Sequence, residues 1–213
     1  MLVLGDAHAD SADRRAQLLS TYDAANADVA LQAGDLQYYE VPVRTYFIAG
    51  NNEDFDVIEA LRHGRIRSEG VKNVRLLAST VVDVDGLRVA GLSGNFAPSQ
   101  FEKARSALRG DRRRHFVRAD VKRAKQLEDV DVFLAHEAPH GIPIVEEYSV
   151  GCRYIDEILE ALRPRLCLLG HHHEHVEGSF GPTRVVSLAP VWDSYYELDP
   201  STLDLERYVS PSP

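Results

Sequence analysis

Short apolar runs alternate with amphipathic stretches along this chain, and their order predicts parallel strands joined by helices. Leu2-Val3-Leu4 reads as a strand, Ala12–Ala25 as an amphipathic helix, and Val29-Ala30-Leu31 as a second strand. Strand, helix and strand in that order build a right-handed parallel crossover. Asp10 or Ser11 is the expected N-cap of the helix, since either side chain can accept a bond from its free amides. Beyond it, residues 46–49 read as a strand, 55–61 as a short helix and 73–77 as another strand.

Two hairpins break the parallel pattern. Residues 81–90 are two strands around the turn Asp85-Gly86, and residues 175–180 and 183–188 are joined through Gly181-Pro182. The expected architecture is therefore α/β with two packed mixed sheets and helices outside. Residues 96–129 are polar and hold Arg105, Arg109, Arg112, Arg113, Arg114, His115 and Arg118; 119–127 is helix-like, but Gly110-Asp111 interrupts the pattern. Trp192, Tyr195 and Tyr196 are expected in the core of the C-terminal strands, and Ser210-Pro211-Ser212-Pro213 as a frayed tail.

Composition narrows the class. With no repeat and no linker, the 213 residues are expected to form one domain, 1–213. An apolar fraction of 44% and a mean hydropathy of −0.26 are those of a globular protein, and no apolar run approaches the roughly 18 residues of a membrane span. The chain opens on a strand without a basic leader, so the expected location is cytoplasmic, with no membrane partner. Cys152 and Cys167 read as reduced thiols. A net charge of −9 argues against a protein that coats nucleic acid, but not against a nuclease with a local basic groove.

The chemistry sits where the strands end. Five apolar runs lead into Asp6-Ala7-His8, Gly34-Asp35, Gly50-Asn51-Asn52-Glu53, His136-Glu137 and Gly170-His171-His172-His173. Asp6 and His8 alternate across one residue, as do His171 and His173, which places each pair on one side of an extended strand end. Strand ends that deliver Asp, Asn and His to one edge describe a two-metal site. Mixed carboxylate, amide and imidazole donors suit manganese, iron, zinc or nickel better than calcium.

In this order the motifs closely resemble the signature of the calcineurin-like metallophosphoesterases, from Gly5 to His173. The resemblance implies a four-layer α/β/β/α sandwich and a dinuclear site at the strand C-termini, manganese first among its metals. Asp6, His8 and His173 would hold one ion, Asn51, His136 and His171 the other, and Asp35 would bridge them. His172 would not be a ligand and would face solvent or substrate. A hydroxide bridging the ions would attack phosphorus in line.

One position departs from the family. Most members carry His after the Gly-Asn pair, a residue assigned to protonating the leaving oxygen or offsetting charge on the phosphoryl oxygens. Here it is Asn52, which donates a hydrogen bond but delivers no proton near neutral pH. His115 and His140 are the candidates to replace that acid, and His175 is placed on the following strand. The resemblance thus points to a phosphodiesterase, with RNA, DNA or a nucleotide as substrate. The alternatives are a phosphomonoesterase or protein phosphatase, or an interaction scaffold like the retromer-subunit branch. Residues 46–51 with Glu53, 91–94, 115–118 and 131–142 are similar to the RNA lariat debranching branch, whose members typically have Cys at the position of Asp6 and a catalytic His at that of Asn52. The segment 105–118 is a candidate to grip a second phosphate or a nucleic-acid strand.

Overall fold

The computed structural model describes residues 1–65, 70–144 and 150–212. In chain order the elements are β1 (Leu2–Leu4), α1 (Ala12–Ala25), β2 (Val29–Gln32), β3 (Tyr39–Phe47), α2 (Phe55–Arg62), β4 (Val71–Leu76), β5 (Thr80–Val84), β6 (Leu87–Leu92), α3 (Pro98–Phe101), α4 (Arg118–Ala124), β7 (Val132–Ala135), α5 (Arg153–Leu162), β8 (Leu166–Leu169), β9 (Val176–Phe180), β10 (Thr183–Ser187), β11 (Ser194–Leu198) and β12 (Leu205–Val209). They make two six-stranded sheets, ordered β12-β11-β1-β2-β3-β4 and β5-β6-β7-β8-β10-β9. β1 to β4 pair in parallel, as do β6, β7, β8 and β10, while β5, β9, β11 and β12 add antiparallel edges.

The layering follows from side-chain alternation in strands apolar on both faces. In β1, Val3 belongs to the core between the sheets together with Leu134, Leu168 and Tyr196, whereas Leu2 and Leu4 belong to the outer core with Leu18, Tyr22 and Ile58 of α1 and α2. In β7 and β8, Val132, Leu134, Leu166 and Leu168 join the inner core, and Phe133, Ala135, Cys167 and Leu169 meet Val121, Ile155 and Leu159 of α4 and α5. Helices therefore cover both outer faces, giving the α/β/β/α sandwich.

Local rules account for the elements. Ser11 caps α1 by accepting from Arg14 N. The β5–β6 turn has φ 51° at Asp85 and 81° at Gly86, the two positive values of a type I′ hairpin. Gly181, at φ 56°, turns β9 into β10. β3 begins at Tyr39 rather than near residue 46, because Pro42 masks its earlier half. Its ladder to β4 shifts register between Glu40 and Thr45, where the Asn73 side chain donates to the Val41 and Pro42 carbonyls at 3.0 and 2.9 Å.

Three expectations are corrected. In the segment after β6 the helix expected over 119–127 is α4, shorter at Arg118–Ala124, and it is preceded by α3 and 3₁₀ turns over Arg105–Ala107 and Gly110–Arg114 that show no period in the sequence. The C-terminal segment does not fray at Ser210 and Pro211, since Ser210 N donates to Asp193 O at 3.0 Å and Gln17 Nε2 to Pro211 O at 2.5 Å; Pro213 lies outside the described residues. Trp192 is not core: Tyr195 and Tyr196 are buried in β11, but Trp192 is only half-buried in the loop before it. Cys152 and Cys167 are free and buried. Among the described residues no helix is long and apolar enough to cross a membrane.

Candidate metal centre

The C-terminal ends of β1, β2, β3, β7 and β8 converge, and each carries one of the ligand motifs. Backbone hydrogen bonds lock the loops together. Ala7 N and His8 N both donate to Asp35 O, at 3.1 and 2.8 Å, and Gly170 N donates to Ala135 O at 3.3 Å. The glycines preceding the ligands permit this approach. A methyl group on Gly50 would collide with the Asp35 carboxylate and lie 2.7 Å from His136 Cε1.

Four predicted ligands lie in the left-handed region: His8 at φ 45°, Asp35 at 54°, His171 at 75° and His173 at 59°. Each such non-glycine conformation costs about 1–3 kcal/mol and persists only where its surroundings enforce it.

The side chains meet in two groups, Asp6 with His8 and His173, and Asp6 with Asp35 and His136, with donor atoms within 4.8 Å of one another. His173 Nε2 lies 2.9 Å from Asp6 Oδ2, and His8 Nε2 lies 3.3 Å from His173 Nε2 and 3.5 Å from Asp35 Oδ2. His136 Nε2 is 3.1 Å from Asn51 Oδ1 and 3.6 Å from Asp35 Oδ1. His171 is adjacent, its ring centroid 5.0 Å from that of His136, but its ring nitrogens enter neither group. Its backbone amide donates to both Asp6 oxygens, at 2.9 and 3.1 Å. Asp6 thus faces both halves of the cluster.

These residues fit divalent cations on their own chemistry. His136 Nδ1 faces the Ala33 carbonyl at 2.9 Å and His8 Nδ1 faces Gln37 Oε1 at 3.1 Å, so in the neutral tautomers both Nε2 lone pairs point at carboxylate, amide or imidazole acceptors. A divalent cation would satisfy these lone pairs together, with Asp6, Asp35 and His136 buried behind it and His8 and His173 partly open to solvent. Burial opposes charge on His136, yet the carboxylates of Asp6 and Asp35 outweigh it and hold the imidazole above its usual range. Burial likewise opposes charge on Asp35, and the hydrogen bonds and charge from His136 and Asn52 overcome it, holding the carboxyl below its usual range.

Asn52 does not point freely toward a substrate. Its backbone N and its Nδ2 donate to the two Asp35 oxygens, each at 2.7 Å. Glu53, in the same motif, is a clamp: its carboxylate accepts from Leu36 N and Gln37 N at 3.1 Å and from Tyr39 Oη at 2.6 Å, joining the β2 and β3 loops. Burial pushes its pKa up to about 7 against the hydrogen bond from Tyr39. Glu137 accepts from Phe96 N at 2.8 Å rather than joining either group.

The proposed substitutes for the missing acid lie outside both groups of facing donors. His115 pairs with Asn95 in an isolated β-bridge, and burial with the Arg114 charge lowers its pKa, which disfavours the protonated form an acid needs. His140 is engaged by Asp156 of α5 at 2.6 Å. His172 is half-buried beside His171, and burial followed by the charges of His171 and His136 lowers its pKa to about 4. His175 contacts the Tyr196 hydroxyl at 3.2 Å. Several arginines of 105–118 are neutralised within the chain: Arg105 by Asp120, Arg113 by Asp56, and Arg118 by Glu102.

Trp192 is the neighbour that the sequence did not disclose. Val191 N donates to Asp6 O at 2.9 Å, and the indole packs against His8 and His173 with ring centroids 5.8 and 5.2 Å away. β11 pairs with β1 across the whole chain, Leu2 opposite Glu197, so no local signal announces this contact.

The family model described as calcineurin-like phosphoesterase matches residues 1–175. The lariat debranching enzyme of Schizosaccharomyces pombe is 28% identical over 158 residues, covering 63% of this chain and 34% of that protein. That of Entamoeba histolytica is 25% identical over 187 residues, covering 75% of this chain and 52% of that protein. The chain thus spans about a third to a half of the length of these relatives. The crystal structure of TT1561 of Thermus thermophilus is similar in fold, with a TM-score of 0.67 at 18% identity, covering 98% of this chain and 97% of that one.

Proposed function

The chain belongs to the calcineurin-like phosphoesterase family, and from that premise we propose that it is a metal-dependent phosphodiester hydrolase with a dinuclear centre, manganese first among its metals and iron, zinc or nickel as alternatives. The observation that carries this reading is the packing of Asp6, His8, Asp35, Asn51, His136 and His173 with their lone pairs turned on one another. Asp6, His8 and His173 would hold one ion, Asn51, His136 and His171 the other, with Asp35 shared. Two divalent ions, when bound, make a nucleophile from water at neutral pH and offset charge on the phosphoryl oxygens.

The chain's own residues prepare that site. The Ala33 carbonyl fixes the His136 tautomer, Gln37 fixes that of His8, and Asn52 orients both oxygens of Asp35. Asn52 is neutral and gives no proton, so nothing at its position offsets the extra negative charge of a phosphomonoester. A diester carries one charge fewer and suits this site. A nucleic-acid or nucleotide substrate is supported by the similarity to enzymes named for lariat debranching.

The reading is tested with bis(p-nitrophenyl) phosphate against p-nitrophenyl phosphate, with and without manganese. We expect manganese-stimulated cleavage of the diester and at least about tenfold lower kcat/KM for the monoester, a discrimination of about 1.4 kcal/mol. Absence of diesterase activity across manganese, iron, zinc and nickel would overturn it.

A further inference from the structure

Beside the cluster an arginine is held in place with its hydrogen-bond donors unused. Arg14, in the first turn of α1, lays its guanidinium over Trp192 with Cζ 3.7 Å from the ring centroid. The same indole touches His8 and His173, so a single side chain links the guanidinium to two proposed ligands. Among the described residues the Arg14 side chain has no ion pair and no hydrogen bond. Its neighbours differ: Arg15 donates to the Ala9 and Asp10 carbonyls at 3.2 and 2.8 Å, and Arg207, on the other side of the loop carrying Trp192, pairs with Asp193 at 2.7 Å.

Packing over an aromatic face holds a guanidinium without consuming its N–H groups, which stay available as a fork suited to phosphate oxygens. The net charge of −9 gives a polyanion no general attraction, so a local cation at the site is what would draw one in. Trp192 touches the ligands and Arg14 does not, which sets the fork to one side of the place where phosphorus would be attacked.

We propose that Arg14, presented by Trp192, grips the phosphate adjoining the one being cleaved, so that the substrate is a chain with phosphates on consecutive units, of oligonucleotide type, rather than an isolated diester. This rests on the phosphodiesterase reading for which phosphate is cleaved, but the grip itself is a binding property. Trp192 is the only tryptophan, so its fluorescence reports events at this fork directly.

The test compares TpT with TpTpT, the second having an adjoining phosphate whichever linkage is cut. Binding to the manganese-loaded protein is followed by stopped-flow fluorescence of Trp192, before turnover. The wild type should bind TpTpT about tenfold more tightly than TpT. Arg14→Gln should bring that ratio close to one, and Arg14→Lys should keep part of it, retaining charge without the fork. A wild-type ratio near one, or a ratio unchanged in Arg14→Gln, would overturn the proposal. If the trimer preference depends on Arg14 while bis(p-nitrophenyl) phosphate is not cleaved, the grip stands and the phosphodiesterase reading falls. Cleavage without the preference means the reverse.

Discussion

Asn52 donates to both Asp35 oxygens, one through its backbone N and the other through its Nδ2, and this changes what the residue does. The substitution from the family's histidine removes a proton donor, yet leaves a carboxamide that orients the carboxylate proposed to be shared between two ions. Asn52→Ala should therefore weaken manganese binding by about 10–100-fold, the usual effect of losing a partner that orients a metal ligand, as measured by titration of the metal-free protein. An unchanged affinity would show that the backbone N of residue 52 is enough to hold Asp35. At this scale the candidate ligands were legible because each follows an apolar run and their order along the chain is distinctive. What stayed hidden were the side chains that touch them, Gln37 and Trp192, and the Tyr39 hydroxyl that holds the Glu53 clamp, contacts that depend on loops meeting in space.

Strands and turns carry the ligands through rules that operate within a few residues. The Asp85-Gly86 hairpin could be read from sequence because two consecutive positive φ angles favour that dipeptide. A methyl group added at Gly86 would meet nothing within 4 Å, so the only expected penalty is conformational. Gly86→Ala should lower unfolding stability by about 1 kcal/mol in urea titration and leave metal affinity unaltered, because the turn precedes β6, at the end opposite the one where its parallel neighbour β7 leads into His136. A larger loss would mean that the turn supports more than its own hairpin. The first half of β3 was not legible although Tyr39, Val41 and Val43 alternate with Glu40, Pro42 and Arg44, because a proline inside such a run argues against a strand. The short helical turns between β6 and α4 were missed for another reason: they are too brief to show a period, and backbone carbonyls and acids absorb their arginines.

At the scale of the whole molecule, two sheets buried on both faces bring five strand ends to one edge. The layer count could be anticipated from continuous apolar strands mixed with hairpins, and the family resemblance supplied the arrangement. The sheet order could not, because the pairing of β1 with β11 joins the two ends of the chain and has no local signature. That pairing also places Trp192 beside His8 and His173, and so sets Arg14 next to the proposed reaction centre. Everything proposed for this edge depends on its holding two cooperating metal ions that hydrolyse a phosphodiester. The decisive experiment is to titrate manganese into metal-free protein while following bound metal and bis(p-nitrophenyl) phosphate cleavage together. We expect two ions per chain, with activity rising as the second binds, and loss of both the second ion and the activity in Asp35→Ala. Full activity at one equivalent, or hydrolysis that survives Asp35→Ala, would refute the dinuclear reading.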